Sequence, residues 1–419
     1  MSIPFKKADI LLPKNCDMSK WSVVACDQYT SEPEYWDEVK RIVGNNPSTL
    51  NLTLPEIYLE DSDVNEKITK INDNMEELNN SDFFKEYKDS LFYIERTQSD
   101  GKIRKGIIGM VDLEDYSYEV GSTSMIRATE KTVIERIPPR VKVRENATLE
   151  LPHIMILIDD DKKEIIEPLK DKVSEKDIVY DFDLMQNGGH IRGYLLSDNT
   201  SDEVIDKLND LANKDKFNEK YHLNNKEVLL FAMGDGNHSL ATAKACYENL
   251  KKQIGEEALN SKARYALVEL VNLHSSALEF EAIHRVLFNV DSTNLLNELE
   301  KYYDISYEEC DGQKVQFVTP TKEGYLWIKN PKSNIAVGSI QIFLDDYLKE
   351  KTGKIDYVHG DEVTKELGKK EGNMSFLFDA MKKQELFKTV ILDGALPRKT
   401  FSMGHSNDKR FYLEARKIK

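Results

Sequence analysis

Val228-Leu-Leu-Phe-Ala-Met-Gly-Asp-Gly-Asn-His-Ser239, continued by Leu240-Ala-Thr-Ala-Lys-Ala-Cys246, is the stretch on which the fold turns. An apolar run long enough for a buried strand meets a turn framed by Gly234 and Gly236, then a helical pattern opened by Asn237, His238 and Ser239. A strand-turn-helix of this kind is an anion site in outline. Backbone N–H groups at a helix start have no intrahelical acceptor, the helix dipole is positive there, and glycine lets a ligand approach the backbone. Asp235 is the odd member, because a carboxylate beside a phosphate is repelled unless it shares a metal ion or handles a proton. Two roles stay open for this turn: Asp235 or Asn237 caps the helix, or Asp235 takes part in phosphate chemistry.

Working outward, the strand and helix belong to a chain of 419 residues, longer than one hydrophobic core usually serves. Charged residues make up 32% of it and the formal net charge is -16. A surface of that sign repels polyanions, which argues against a nucleic-acid partner. Basic clusters against this trend are therefore informative. Cys16, Cys26, Cys246 and Cys310 show no paired spacing and read as reduced thiols. With no signal-peptide pattern and no apolar run of membrane-spanning length, a cytoplasmic protein without a membrane partner is expected.

The remaining pattern is irregular. Trp21–Cys26 reads as a short strand, and Pro33 sits just inside a helix start at 31–34. Leu91–Arg96 and Lys105–Val111 read as strands paired across the polar turn at 98–101. Residues 129–149 read as helix with a break at Pro138-Pro139, and 153–158 as a strand. Amphipathic helices are expected at 291–303 and 340–350, around a strand pair near 314–329, with strand-like segments at 387–392 and 409–414. Because strands and helices do not alternate regularly, an α+β fold with mixed sheets is expected.

A second constellation, Ile126-Arg-Ala-Thr-Glu-Lys-Thr132, continues into Arg136, Arg140, Lys142 and Arg144. Among such cations Glu130 is expected to stay ionised, with Arg127 and Lys131 at helical spacing to hold a phosphoryl group; a salt-bridged surface helix is the alternative. Glu281, His284 and Arg285 fall on a strand pattern, where Arg285 suits a carboxylate or phosphate. Gly188-Gly-His190-Ile-Arg192 and Leu396-Pro-Arg-Lys-Thr400 are weaker signals of the same kind. The chain lacks G-x-x-x-x-G-K-[ST], a complete G-x-G-x-x-G, H-E-x-x-H, G-x-S-x-G and a kinase H-R-D loop. Phosphate chemistry here would use a less common scaffold.

Taken in order, Ala25-Cys-Asp-Gln-Tyr29, Arg127-Ala-Thr-Glu-Lys-Thr132, Gly234-Asp-Gly-Asn-His-Ser239, Ile283-His-Arg285 and Leu396-Pro-Arg-Lys-Thr400 resemble, over nearly the whole chain, a family long catalogued as a domain of unknown function. Its core is similar to the ParB/sulfiredoxin-like fold of the free serine kinases. The resemblance implies an N-terminal α/β region at 1–120, a ParB/sulfiredoxin-like catalytic core at 121–290 and a C-terminal α+β region at 291–419. It also implies transfer of a phosphoryl group to the hydroxyl of L-serine, giving O-phospho-L-serine, with pyrophosphate as donor in the longer relatives and ADP in archaeal ones. The family's His-Glu pair falls on Thr129-Glu130, keeping only the glutamate; its Asp-Gly-His-His-Arg signature falls on Asp235-Gly-Asn-His-Ser239, keeping Asp235, Gly236 and His238.

The roles implied are Glu130 as base and Asp235 as metal holder or orienter. The donor falls to the 236–239 backbone (Gly236, Asn237, His238, Ser239) with Mg²⁺, and to Arg127, Lys131, Arg285 or Arg398 for the charge lost with the signature arginine. His284 and Arg285 are assigned to the substrate. Direct phosphoryl transfer needs positioning and charge neutralisation above all. Rival expectations are an ADP- or ATP-dependent serine kinase, a phosphoserine phosphatase, and a non-catalytic nucleotide-gated ParB-like binding protein.

Overall fold

The computed structural model describes residues 3–132, 134–404 and 406–419. The chain forms two compact units. The first comprises Met1–Ala128, Thr132–Leu278 and His405–Lys419; the second comprises Thr129–Lys131 and Glu279–Gly404. Helices and several sheets are intermixed in an α+β fold, as expected.

In the first unit a ten-stranded sheet runs in the order Ile178–Asp183, His190–Leu195, Phe92–Thr97, Ile103–Asp112, Tyr265–Asn272, Met155–Ile158, Phe231–Asp235, Ile126–Arg127 and Tyr116–Ser117, with Phe5–Lys6 added beside Ile103–Asp112. It is mixed. Phe92–Thr97 and Ile103–Asp112 form the expected antiparallel hairpin, whereas Met155–Ile158 runs parallel to Tyr265–Asn272 and antiparallel to Phe231–Asp235. All four residues of Met155–Ile158 are buried, which is why that strand reads as an unbroken apolar run. Between Met155 and Ile156 the register against Phe231–Asp235 slips, and Met155 pairs with Asp235 at the strand end. Such irregularities re-aim side chains at the end of a ladder.

Pro33–Val43 begins with its proline at the first turn and buries Trp36, Val39 and Val43 at helical spacing, against a core that includes Ile94, Ile108 and Phe411. Each such side chain withdrawn from water stabilises the unit by roughly 1.5–3 kcal/mol. A buried charge network lies beneath: Glu269 accepts from Arg104 Nε and Arg410 Nη1, both at 3.0 Å, and Arg410 also pairs with Glu414. Fully paired, these charges tie the C-terminal residues to the central strands; one partner removed would leave an uncompensated buried charge.

Two expected elements differ here. Residues 128–132 are not helical: Glu130 forms an isolated parallel bridge to Leu396. The helix begins only at Ile137–Arg144, with Pro138-Pro139 in its first turn. Proline starts a helix because the N–H it lacks has no partner at that position. Trp21–Cys26 shrinks to a strand at Val23–Val24, since Trp21 closes the short helix Met18–Trp21.

In the second unit a seven-stranded sheet has the order Ile305–Ser306, Glu323–Ile328, Gln313–Val318, Asn373–Leu377, Phe280–Phe288 and Lys354–His359, with Phe401–Met403 paired to the start of Phe280–Phe288. The helices Ser292–Tyr302 and Ala336–Glu350 and the strand pair between them stand where expected. Residues 387–392 instead lie inside the helix Lys383–Asp393. Their β-branched run suits a strand, but the Lys382 N–H donates to Glu385 Oε2 at 2.8 Å, and Leu386 and Val390, four apart, are both buried. Capping and a buried helical face prevail over propensity. Among the described residues no helix is long and apolar enough to cross a membrane.

Candidate functional site

The expected turn is present. The strand Phe231–Asp235 ends at Asp235, Gly236 occupies the N-cap in the left-handed region with φ 77°, and an 18-residue helix runs Asn237–Ile254. A Cβ at Gly236 would meet the Ile154 Cα at 3.0 Å, so both dihedral and space call for glycine. The first intrahelical bond at this end is Leu240 N–H to Gly236 O, which leaves the 237–239 N–H groups at the open, positive end of the helix.

Neither capping alternative is adopted: the N-cap residue is Gly236, which has no side chain to bond the first helical N–H groups. Asp235 Oδ1 accepts from the Gly236 N–H at 2.8 Å, while Oδ2 faces Lys409 Nζ at 3.2 Å. Among the described residues, Asn237 Oδ1 and His238 Nε2 are buried with no hydrogen-bond partner. Buried polar atoms are normally satisfied, and two orphans on adjacent residues at a helix start mark a place for a ligand.

Cations surround the same turn. Ile137–Arg144 packs on the 237–254 helix, and the charges of Arg140 and Arg136, after burial, bring the His238 pKa down to about 4. His238 is therefore neutral at pH 7, able to donate from one ring nitrogen. Arg140 also donates to the Arg136 carbonyl and pairs with Glu56. Ser239 Oγ lies 3.3 Å from His153 Nε2, which in turn lies 3.5 Å from Asp27 Oδ2. His153 Nδ1 meets the Tyr412 hydroxyl at 3.0 Å, and that hydroxyl accepts from the Cys26 N–H. Burial alone would lower the His153 pKa, but the charge and hydrogen bond of Asp27, with the charges of Asp235 and Glu56, raise it. Asp27 moves oppositely: burial would raise it, yet His153, the Gln28 hydrogen bond and the Lys409 charge hold it below the usual carboxylate range.

The other expected site residues divide between the two units. Arg127 belongs to the first and is buried, its Nε donating to Ser124 O at 2.7 Å and its Nη2 to Glu227 O at 3.1 Å. It ties the loop at 124 to the segment at 227–228. Glu130, Lys131, His284, Arg285 and Arg398 belong to the second unit. Burial raises the Glu130 pKa against the opposing N–H groups of Lys399 and Thr400 and the charges of Lys399 and Arg285. That reverses the expected depression, because burial outweighs the opposing contacts and residues 128–132 are not helical. Lys131 is exposed, its own N–H reaching Leu396 O.

Arg285 is fully buried and donates to Gln341 Oε1 at 2.6 Å and to the carbonyls of Ile283, Lys399 and Arg398. Burial takes its pKa to about 10. His284 Nε2 meets Asp361 at 3.0 Å, and its Nδ1 accepts from the Phe378 N–H. Arg398 is exposed over the Tyr357 ring, with Nε 3.2 Å from the Tyr357 hydroxyl. His190 bridges Asp181 and Asp183 on the sheet's outer strands.

The family model described as "Protein of unknown function (DUF1015)" matches residues 3–347. The chain belongs to the DUF1015 family. None of the curated proteins matches it. Solved structures to which this DUF1015 chain is similar include a mutant free serine kinase in complex with AMP, at TM-score 0.40 and 11% identity, covering 76% of this chain and 92% of that one. Another is a conserved hypothetical protein from Pyrococcus furiosus, at TM-score 0.37 and 10% identity, covering 74% and 94%. A third is SbnI with a C-terminal truncation from Staphylococcus aureus, at 0.36 and 9%, covering 71% and 82%.

Residue reading missed His153, Tyr412 and Lys409 at this turn. Asp27 lay within a quoted motif but without a role. In the sequence His153 opens one strand pattern and Lys409 another. The sequence signal available for His153 was a lone histidine at the mouth of an apolar run, which by itself marks no site.

Proposed function

We propose that this protein is a small-molecule phosphotransferase that passes a phosphoryl group from inorganic pyrophosphate to the hydroxyl of free L-serine. The observation that carries this is the start of the 237–254 helix. There, two buried polar atoms without partners among the described residues, the open backbone N–H groups and the charges of Arg136, Arg140 and Lys409 lie near one carboxylate. Such an arrangement fits an anion bound through backbone donors and flanking cations, the positioning and neutralisation that phosphoryl transfer requires. The acceptor is assigned by the motif resemblance.

Mg²⁺ fits the residues present. It is commonly held by one or two carboxylates together with phosphate oxygens and water, and Asp235 with the unpartnered Asn237 Oδ1 supplies such a protein side. Among the described residues no group of three or more His, Cys, Asp or Glu side chains is placed to hold a metal alone, so the donor's own oxygens would complete the shell. When bound, the ion would neutralise charge on the phosphoryl oxygens. Gly236, in its left-handed conformation against Ile154, fixes the turn that opens the helix, and neutral His238 donates to a phosphoryl oxygen. The motif resemblance assigns the hydroxyl proton of serine to Glu130, whose pKa burial raises.

The test is incubation with L-serine, Mg²⁺ and, in separate reactions, pyrophosphate, ADP and ATP. Formation of O-phosphoserine with consumption of pyrophosphate only when serine is present is expected. Product with a nucleotide alone would move the donor assignment to that nucleotide, hydrolysis of phosphoserine without transfer would make the enzyme a phosphatase, and binding without product would leave a binding protein.

A further inference from the structure

The signature arginine expected five residues into the Asp-Gly-His-His-Arg pattern is Ser239 here, so the donor site lacks the cation that the pattern places on its own helix. We infer that Lys409, 170 residues further along the chain, is the donor-binding cation of this site. This deepens the phosphotransferase reading and rests on it. The Lys409 Nζ lies 3.2 Å from Asp235 Oδ2, with the side chain 17% exposed, and its charge reaches Asp27 strongly enough to lower that carboxyl's pKa. An ammonium has three N–H donors. One directed at Asp235 leaves others for phosphoryl oxygens held at the helix start.

Lysine on a free loop would be a weak choice for this task, since ordering its long side chain and backbone costs binding energy. Here the backbone is already ordered. Arg96, buried on the strand Phe92–Thr97, donates through Nη2 to Asn407 O at 2.9 Å and through Nη1 to Lys409 O at 3.4 Å. Arg104, buried on the neighbouring strand, donates to Asp408 O at 3.0 Å. The Asp408 carboxylate accepts from both the N–H and the hydroxyl of Ser99 at 2.8 Å. Three successive residues, 407 to 409, are thus gripped from the sheet, and Arg410 is locked onto Glu269 and Glu414. The clasp delivers one amine to the turn from a distant segment. By contrast, Arg127 in the same unit has its donors engaged by carbonyls.

The competing role for Lys409 is neutralisation of Asp235 and nothing more. The experiment measures Mg²⁺-pyrophosphate binding by calorimetry, serine-dependent turnover and melting temperature for the wild type, Lys409→Met, Lys409→Arg and the Asp235→Asn/Lys409→Met double variant. Lys409→Met should weaken pyrophosphate binding about tenfold or more, the scale of one charge-assisted hydrogen bond. The KM for L-serine should stay within about twofold, and Lys409→Arg should recover part of the loss. Lys409→Gln, which keeps a hydrogen bond to Asp235, serves if the methionine variant does not fold.

Pyrophosphate affinity unchanged in Lys409→Met, or restored in the double variant, overturns the inference. A wild type that binds pyrophosphate in a Lys409-dependent way but never forms O-phosphoserine sinks the transfer reading and leaves the inference standing. A wild type that binds neither pyrophosphate nor ADP overturns both.

Discussion

The 235–239 turn and the 283–285 strand with its 396–400 partner segment differ in how their polar groups are satisfied. Around Arg285 the protein supplies the partners: one glutamine oxygen and three carbonyls accept from the guanidinium, and both nitrogens of His284 are engaged. At the 235–239 turn Asn237 Oδ1 and His238 Nε2 are buried with none among the described residues. The first arrangement is what a structural hydrogen-bond network needs, and the second is what a binding site for a polar ligand needs. Charge alone does not separate them; the presence or absence of protein partners does.

The largest expected effect is on turnover. Glu130→Gln keeps the shape and the N–H contacts from Lys399 and Thr400 but removes the base, and kcat should fall by about 10²–10⁴ with pyrophosphate affinity little changed. Near wild-type turnover in a steady-state assay would make Glu130 a buried structural carboxyl. Next comes Arg285→Met, which strands Gln341 and three carbonyls in the second unit. Chemical denaturation should show a loss of about 3 kcal/mol or more, and Arg285→Lys should not restore it because a lysine cannot reproduce the fork. If Arg285→Met instead melted normally and lost only serine affinity, Arg285 would be a substrate ligand and the contrast would fail.

The smallest effect is in pH. His238, lowered to about 4, binds fewer protons folded than unfolded, so its contribution to stability is present above the unfolded value near 6.5 and is lost as pH falls toward 4. His153 is raised, so its contribution is full below the unfolded value and is lost as pH rises through the folded one. NMR titration of the two imidazoles should give midpoints on opposite sides of the ordinary histidine value. Matching midpoints would show that the Arg136 and Arg140 charges do not reach His238.

Much of this organisation was legible. The apolar run, the glycine pair and the polar helix start at 228–246 are local, and local chemistry decides such a turn. The hairpin at 92–112 and the Pro33 helix start were readable for the same reason. Residues 129–132 and 387–392 were misread because distant partners decide them: the first pairs with Leu396 as a bridge, and the second is turned into a helix by the Glu385 cap and a buried face. The site suffered likewise. Asp27, His153 and the pair Lys409 and Tyr412 come from three separated segments, and each unit is itself assembled from discontinuous stretches.

The most direct test is Asp235→Asn. The substitution keeps the acceptor for the Gly236 N–H, and no cap is lost because Asp235 does not cap the helix. It forfeits one partly exposed ion pair with Lys409, worth about 0–1 kcal/mol, so the melting temperature should move by no more than a few degrees. Serine-dependent release of phosphate should fall at least about a hundredfold, as expected when a preorganised charge at a phosphoryl site is removed. An Asp235→Asn protein that melts normally and turns over normally would contradict the assignment of this turn to phosphoryl chemistry.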